Sequence, residues 1–121
     1  MSRVHALETF KPEEQELLRQ AVDVICSVAQ QHGVDVVRIY LFGSRARGEA
    51  GKDSDWDFYV IADRRVDGER QRVIVTEAKR ILARLRIPND IILDSRRRFQ
   101  RFRPYSGHLA YEVQKEGVRI L

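Results

Sequence analysis

Three short apolar segments, at residues 36–42, 57–62 and 90–94, constrain the fold of this chain more than any other feature. β-Branched and aromatic residues are frequent in them and turn-forming residues bound them, a pattern that predicts β-strands. Because side chains alternate between the two faces of a strand, each segment has an apolar side. These apolar sides consist of Val37, Ile39 and Leu41, then Trp56, Phe58, Val60 and Ala62, then Ile91 and Leu93. We expect helices to cover this face.

Apolar residues at helical spacing lie around these segments. The three- and four-residue spacing predicts helices at 12–33, 68–86 and about 108–115. The middle helix is expected to bury Ile74, Ala78, Ile81, Leu82 and Leu85. Residues 95–107 predict a basic, aromatic loop, and residues 118–121 a short closing strand. The expected fold class is α/β (α+β), a small mixed β-sheet with helices packed on one face.

Carboxylates gather on the other face of the predicted sheet. Asp55 and Asp57 stand two residues apart in an extended segment and therefore point the same way, and Asp90 has the matching parity on the third strand. Three carboxylates on one face repel one another unless a cation lies between them. Carboxylates, waters and substrate phosphates are the ligands that Mg²⁺ prefers. Asp94 shares this face and is the alternative third carboxylate, about 13 Å further along the strand.

A Gly-Ser turn follows the first predicted strand. Gly43 ends the strand and Ser44 is expected to open a short helix, whose free backbone N–H groups would face an anion. Arg45 and Arg47 add positive charge suited to a polyphosphate. Two simpler interpretations stay open: the arginines are solvated surface charges, and the aspartates at 55 and 57 cap a turn.

Size and composition favour one soluble globular domain. The chain has 121 residues, of which 43% are hydrophobic and 33% charged. We expect a single domain over 1–121, with an N-terminal helix region at 1–34 and a motif-bearing core at 35–121. The lone Cys26 excludes an internal disulfide. No apolar run approaches the roughly 20 residues of a membrane span, and the start MSRVHALETF predicts no signal peptide, so a cytoplasmic location is expected.

The net charge of +4 favours anionic partners such as nucleotides, nucleic acid or an acidic protein surface. The positive charge is uneven along the chain. Five arginines lie between residues 96 and 103, interleaved with aromatic residues, whereas aspartates gather at 53–57.

The spacing of these motifs resembles a known signature. Gly43-Ser44, ten further residues and then Asp55-Trp56-Asp57 resemble the DNA polymerase β-like nucleotidyltransferase superfamily. The string GSRARGEAGKDSDWD is similar to its minimal nucleotidyltransferase (MNT) branch, and IPNDIIL and YEVQKEGVRIL resemble later segments of that family. The resemblance covers roughly residues 30–121. Trp56 departs from the aliphatic residue usual between the paired aspartates, but its parity places it in the core.

The resemblance implies a polymerase β-like fold and a set of roles. It implies that Gly43 and Ser44, with Arg45 and Arg47 beside them, bind the triphosphate of ATP or another NTP. Two Mg²⁺ ions would be held by Asp55, Asp57 and Asp90, and Asp90 would help to activate the acceptor hydroxyl. The expected reaction is transfer of a nucleoside monophosphate, with AMP from ATP as the leading case.

The MNT branch further implies a partner, a HEPN-domain toxin that this chain neutralises by adenylylating a tyrosine. One alternative is a catalytically silent antitoxin that acts by contact alone. Another is a nucleic-acid-binding protein that uses the arginines at 96–103, a less favoured partner class. The acceptor, the preferred nucleotide and a homo-oligomeric state stay open.

Overall fold

The structure, a computed structural model, describes residues 6–121 and has a four-stranded sheet at its centre. Residues 1–5, part of the segment used above to predict the absence of a signal peptide, lie outside the described residues. The strands are β1 (Val36–Phe42), β2 (Trp56–Ala62), β3 (Asn89–Ser95) and β4 (Val118–Arg119). The helices are α1 (Pro12–Gln31), α2 (Ser44–Arg47), α3 (Gly68–Arg84), α4 (Arg96–Phe102) and α5 (Leu109–Glu116), after a 3-10 turn at Ala6–Thr9. The predicted mixed sheet and α/β class are confirmed.

The strand order β3-β2-β1-β4 brings the end of β1 and the starts of β2 and β3 to one edge of the sheet. β1 runs antiparallel to both β2 and β4, whereas β2 and β3 are parallel. The end of β1 therefore lies beside the starts of β2 and β3. Asp57 is paired with Phe42 on one side and with Asp90 on the other. The topology thus sets the Gly-Ser turn and the acidic residues at the same edge.

The first face of the sheet is covered by α1 and α3, as the apolar parity predicts. The buried core there joins α1, the predicted strand residues and α3 through Leu18, Ile39, Phe58, Val60, Ala78 and Leu82. Trp56 belongs to this core, with 2% of its surface exposed and its ring centroid 6.1 Å from that of Phe10. Within residues 6–121, no helix combines the length and apolar character needed to cross a membrane.

The prediction that α3 buries Leu85 is wrong. The helix ends at Arg84, and Leu85 is its C-cap residue with 46% of its surface exposed. Arg86 then adopts a left-handed conformation, with φ 61°, and turns the chain back towards the sheet. Ile87, and not Leu85, is the buried residue at this corner, with 1% exposed.

The prediction that helices cover only one face also needs correction, because α4 and α5 pack on the second face. Residues 95–107, predicted as a loop, contain α4, whose N-cap Ser95 accepts a hydrogen bond from the Arg98 backbone at 3.2 Å. The high arginine content hid the helical spacing of Phe99 and Phe102. The second apolar cluster consists of Tyr40, Tyr59, Ile61, Phe99, Ala110 and Val113. The division of the chain at residue 34 stays a prediction.

A substitution at Phe99 tests this second layer. Phe99 is 2% exposed, and its ring centroid lies 5.8 Å from that of Tyr40 and 5.6 Å from that of Tyr59. Phe99→Ala is expected to lower the free energy of unfolding by about 3–5 kcal/mol, because it opens a cavity in a closed core. Urea denaturation followed by circular dichroism measures the loss. The half-buried Phe102 is the control, and Phe102→Ala should have a clearly smaller effect; equal losses would contradict the second core.

Candidate active site

Gly43 links the turn after β1 to the acidic edge, which is the edge of the sheet that carries Asp55, Asp57 and Asp90. Its φ of 75° and ψ of −158° lie in a region that is essentially open only to glycine. A Cβ atom built at this position would collide with the carboxylate of Asp57. The backbone of the turn therefore lies directly against that carboxylate, and the sequence needs glycine here for both reasons.

The helix that follows, α2, is a single turn, and only part of its backbone N–H groups donate hydrogen bonds within the described chain. The backbone N–H groups of Ala46 and Arg47 donate to the Gly43 carbonyl at 3.1 and 3.2 Å. No hydrogen bond within residues 6–121 engages the backbone N–H groups of Ser44 and Arg45 or the Ser44 hydroxyl. Free N–H groups at the start of a helix are suited to bind an anion. They stand at the turn that touches Asp57.

The three predicted carboxylates lie at neighbouring positions of the sheet edge. Asp55 precedes β2, Asp57 is its second residue, and Asp90 is the second residue of β3. Asp57 and Asp90 are register partners across the parallel pair. Trp56 lies between Asp55 and Asp57 in the chain and is buried in the core, so both carboxylates face away from the first helical layer. Asp55 and Asp90 are exposed and Asp57 is half-buried.

Charge crowding is strongest at Asp57. Burial raises the pKa of this carboxyl above its usual value, the neighbouring charges of Asp90 and Asp55 raise the pKa further, and Arg47 lowers it in part. A bound cation would favour the charged form instead. The donor set fits Mg²⁺, because Asp55 and Asp57 accept no side-chain hydrogen bond from the described residues. Among residues 6–121, Asp55, Asp57 and Asp90 do not form a group close enough to hold a metal ion by themselves, so their joint role as metal ligands stays a prediction.

The two candidates for the third carboxylate differ in their surroundings. One oxygen of Asp90, Oδ1, accepts hydrogen bonds from Lys79 Nζ and from the Ile91 backbone, both at 3.1 Å. Asp94 pairs in register with Ile61, four residues further along, and accepts the Tyr59 hydroxyl at 2.5 Å. The structure thus brings Asp90, and not Asp94, beside Asp57.

The hydrogen bond between Asp94 and Tyr59 stabilises the fold. Tyr59 is 2% exposed, and its burial, followed by the hydrogen bond to Asp94, raises the pKa of the phenol far above its usual range. The Arg98 guanidinium lies 3.8 Å from the same carboxylate. Asp94 thus anchors the start of α4 to the sheet.

Arg45 and Arg47, the two arginines predicted to bind phosphate, also differ in their surroundings. Arg45 donates to the Ser54 carbonyl at 2.9 and 3.2 Å and to the Lys52 carbonyl at 3.2 Å. Its guanidinium carbon lies 4.2 Å from the Trp56 ring centroid, and it forms a 3.8 Å ion pair with Glu14. These contacts hold the loop that leads to Asp55. A phosphate-binding role for Arg45 stays a prediction.

Arg47 is exposed and forms a 3.3 Å ion pair with Glu49, and its charge acts on Asp57. Sequence reasoning missed Lys79, which lies on α3 and reaches Asp90 across the edge of β3. No motif marks it, since only the packing of α3 on β3 brings the two residues together. A cavity of about 770 Å³ lies beside α2, and Arg45, Arg47 and Lys115 are among its lining residues, whereas none of the three carboxylates lines it.

Gly43→Ala tests the contact between the turn and Asp57. We expect a loss of about 1–3 kcal/mol in unfolding free energy from the backbone conformation, together with loss of Mg²⁺-dependent binding of a non-hydrolysable ATP analogue. Gly48→Ala is the matched control, because Gly48 also has a positive φ, 72°, but a Cβ there meets no atom of residues 6–121 within 4 Å. It should lose about 1–2 kcal/mol and keep nucleotide binding. Calorimetry that finds binding intact in Gly43→Ala would contradict the inferred contact.

Asp57→Asn tests whether burial and the neighbouring carboxylates make the charged form of Asp57 unfavourable. Because the folded-state pKa of Asp57 is raised, its contribution to stability is present below the pKa of the unfolded chain and is lost as the pH rises through the folded-state pKa. Asp57→Asn should therefore raise the melting temperature of the metal-free protein at neutral pH, with the gain vanishing in acid. Mg²⁺ should stabilise the wild type more than this variant. Asp53→Asn, at an exposed aspartate, should change neither the melting temperature nor the stabilisation by Mg²⁺. A destabilised Asp57→Asn protein at neutral pH would refute the inferred repulsion at Asp57.

Comparisons with known proteins agree with this geometry. The family model "Polymerase beta, Nucleotidyltransferase" matches residues 23–121. One similar solved structure, described as a candidate minimal nucleotidyltransferase, is 27% identical, with a TM-score of 0.54 over 85% of this chain and 92% of that chain. No curated protein matches the chain significantly.

Two further structures share the fold at lower identity. A toxin–antitoxin complex with AMP-PNP has a TM-score of 0.52 and 19% identity, over 82% of this chain and 71% of that chain. A complex of the tri-AMPylated Shewanella oneidensis HEPN toxin with its MNT antitoxin has a TM-score of 0.51 and 18% identity, over 86% and 71%. The family match spans most of the described residues. The chain therefore belongs to the polymerase β nucleotidyltransferase family of enzymes.

Proposed function

We propose that this protein transfers AMP from ATP to a hydroxyl group of a partner protein, with Mg²⁺ as cofactor. The observation that carries the proposal is the contact between the Gly-Ser turn and Asp57, at the edge where Asp57 and Asp90 are register partners. It sets a group of free N–H donors beside a group of carboxylates. A nucleoside triphosphate needs both, because its phosphates take the donors and its metal ions take the carboxylates.

In this proposal the turn holds the triphosphate. The Ser44 hydroxyl and the backbone N–H groups of Ser44 and Arg45 donate to the β- and γ-phosphate oxygens, and they are free to do so in the described chain. Arg47, exposed beside the same turn, adds positive charge to offset the phosphates. Arg45 acts indirectly, since its hydrogen bonds to the 52–54 backbone keep the loop before Asp55 in place.

Asp55, Asp57 and Asp90 would hold the metal. When bound, Mg²⁺ neutralises the phosphate charge and lowers the pKa of the attacking hydroxyl. In Asp90, Lys79 and the Ile91 N–H occupy Oδ1, whereas Oδ2 accepts no hydrogen bond from residues 6–121 and would be open to the acceptor proton. The oxygen of the acceptor hydroxyl forms a bond to the α-phosphorus, the bond from that phosphorus to pyrophosphate breaks, and the proton passes by way of Asp90 to solvent.

The proposed acceptor is a tyrosine of a HEPN-domain toxin, and adenylylation would make this chain its antitoxin. The support is the fold shared with an MNT antitoxin bound to a tri-AMPylated HEPN toxin and with a toxin–antitoxin complex containing AMP-PNP. A contact antitoxin without activity is the alternative that the experiments below separate.

The arginines of α4 give weaker support to a nucleic-acid-binding function. Arg96, Arg97 and Arg103 are exposed and contact no acidic side chain among residues 6–121. However, Phe102 is already covered, with the guanidinium carbons of Arg98 and Arg101 at 4.8 and 5.3 Å and the His108 ring at 4.6 Å. An aromatic ring covered by the protein's own side chains offers no face for stacking a base.

A comparison of Asp90→Asn with Asp94→Asn tests the proposed chemistry. The protein is incubated with a HEPN-domain partner, Mg²⁺ and ATP labelled at the α-phosphate, and label on the partner is followed with time. Asp90→Asn should slow the transfer by about 100-fold or more, because it removes a metal ligand and the proton acceptor. Asp94→Asn should transfer at close to the wild-type rate but lose about 1 kcal/mol of stability through the Tyr59 contact.

The outcomes separate the hypotheses. Wild-type protein that neutralises the partner without transferring label would be a contact antitoxin. Transfer that persists in Asp90→Asn and stops in Asp94→Asn would exchange the roles of the two carboxylates. Mass spectrometry of the labelled partner identifies the modified side chain, and a modified group other than a tyrosine hydroxyl would refute the proposed acceptor.

A further inference from the structure

A groove of about 540 Å³ lies at the start of β3, beside the proposed reaction centre. Its floor is apolar and is made by Ala83, Ile87 and Pro88. Lys79, Arg80 and Arg86 line its sides, and no acidic residue of the described chain lines it. One side of the groove is the turn at the end of α3, where Arg86 adopts a left-handed conformation and reverses the chain.

Lys79 connects this groove to Asp90. Lys79 lines the groove, and its ammonium group donates to Asp90 Oδ1 at 3.1 Å. Asn89, another lining residue, directly precedes Asp90 in β3. β3 is an edge strand of the sheet, so no further strand formed by residues 6–121 covers this side. A chain lying in the groove would therefore pass within reach of the carboxylate proposed to accept the proton.

The groove has unsatisfied binding capacity in its exposed arginines. The Asn89 side chain does not add to it, because its amide already donates to the Ile87 carbonyl at 3.0 Å and its Oδ1 atom is buried away from the groove surface. The guanidinium groups of Arg80 and Arg86 are exposed and contact no carboxylate among residues 6–121.

We propose that this groove binds an acidic polypeptide segment that carries the acceptor tyrosine, so that Arg80 and Arg86 select acidic residues beside the modified hydroxyl. The inference rests on the proposed function, whose acceptor site it defines. The exposed guanidinium groups of Arg80 and Arg86 match carboxylate side chains. Among the residues that the structure describes, no aromatic ring on which a nucleic-acid base could stack lines the groove, which favours a polypeptide over a single-stranded nucleic acid.

The test uses two fluorescent peptides with the full-length protein. Both contain a single tyrosine, flanked by glutamates in one and by glutamines in the other, and binding is measured by fluorescence anisotropy at low salt. We expect the wild type to bind the glutamate peptide about tenfold more tightly. Arg80→Glu should abolish this preference, and Arg86→Asn, which keeps a residue that tolerates the left-handed conformation, should reduce it about threefold.

Arg72→Glu is the matched control, because it makes the same charge change at an exposed position of α3 outside the groove. It should keep most of the preference. Equal affinities of the two peptides for the wild type, or an equal loss in Arg72→Glu and Arg80→Glu, would overturn the inference. Tighter binding of an oligothymidylate than of the glutamate peptide, lost in Arg80→Glu, would overturn it in favour of nucleic acid.

Nucleotide binding is measured separately, so that the two proposals can fail separately. Arg80→Glu should bind the Mg²⁺ complex of a non-hydrolysable ATP analogue as the wild type does, because the Gly-Ser turn is intact. If the wild type binds no nucleotide, the proposed function fails whatever the peptides show. If nucleotide binds and label reaches the HEPN partner at the same KM in wild type and Arg80→Glu, the function stands and the acceptor groove is refuted.

Discussion

The close approach of the Gly43 backbone to the Asp57 carboxylate is the contact on which the arrangement of the site depends. It requires a residue without a Cβ atom, in a conformation essentially limited to glycine. It also requires antiparallel β1 and β2, so that the end of one strand meets the start of the other. Once these conditions are met, the free N–H groups after Gly43 and the carboxylates of the acidic edge face the same space.

This arrangement places like charges close together, and the surrounding residues offset that only in part. Asp55 and Asp90 both raise the pKa of Asp57, while Arg47 acts in the opposite direction. Lys79 forms an ion pair with Asp90, but both side chains are largely exposed, so the pair adds little stability. The acidic edge is therefore an electrostatically unfavourable part of an otherwise well-packed domain, as is common where a fold is shaped for binding rather than for stability.

The second face of the sheet shows how one surface serves two purposes. Its apolar part, with Tyr40 and Tyr59 at its centre, is closed by α4 and α5. Its acidic end is left accessible, since Asp55 and Asp90 are exposed. Asp94 stands at the boundary, bonded to the buried Tyr59 hydroxyl, and belongs to the structural part. Parity alone could not separate Asp94 from Asp90, because both residues share a face.

The sequence by itself determined the strands, the first helical layer, the Gly-Ser turn and the parity of the carboxylates, because these depend on local periodicity and on glycine geometry. The helix α4 was missed, since arginines fill the positions around Phe99, and Leu85 was misplaced because a helix end is not marked by apolar spacing. Only the tertiary structure decided which carboxylates meet, that Arg45 holds a loop, and that Lys79 reaches Asp90. These are contacts between elements distant along the chain, and strand order and helix packing create them, so no local pattern encodes them.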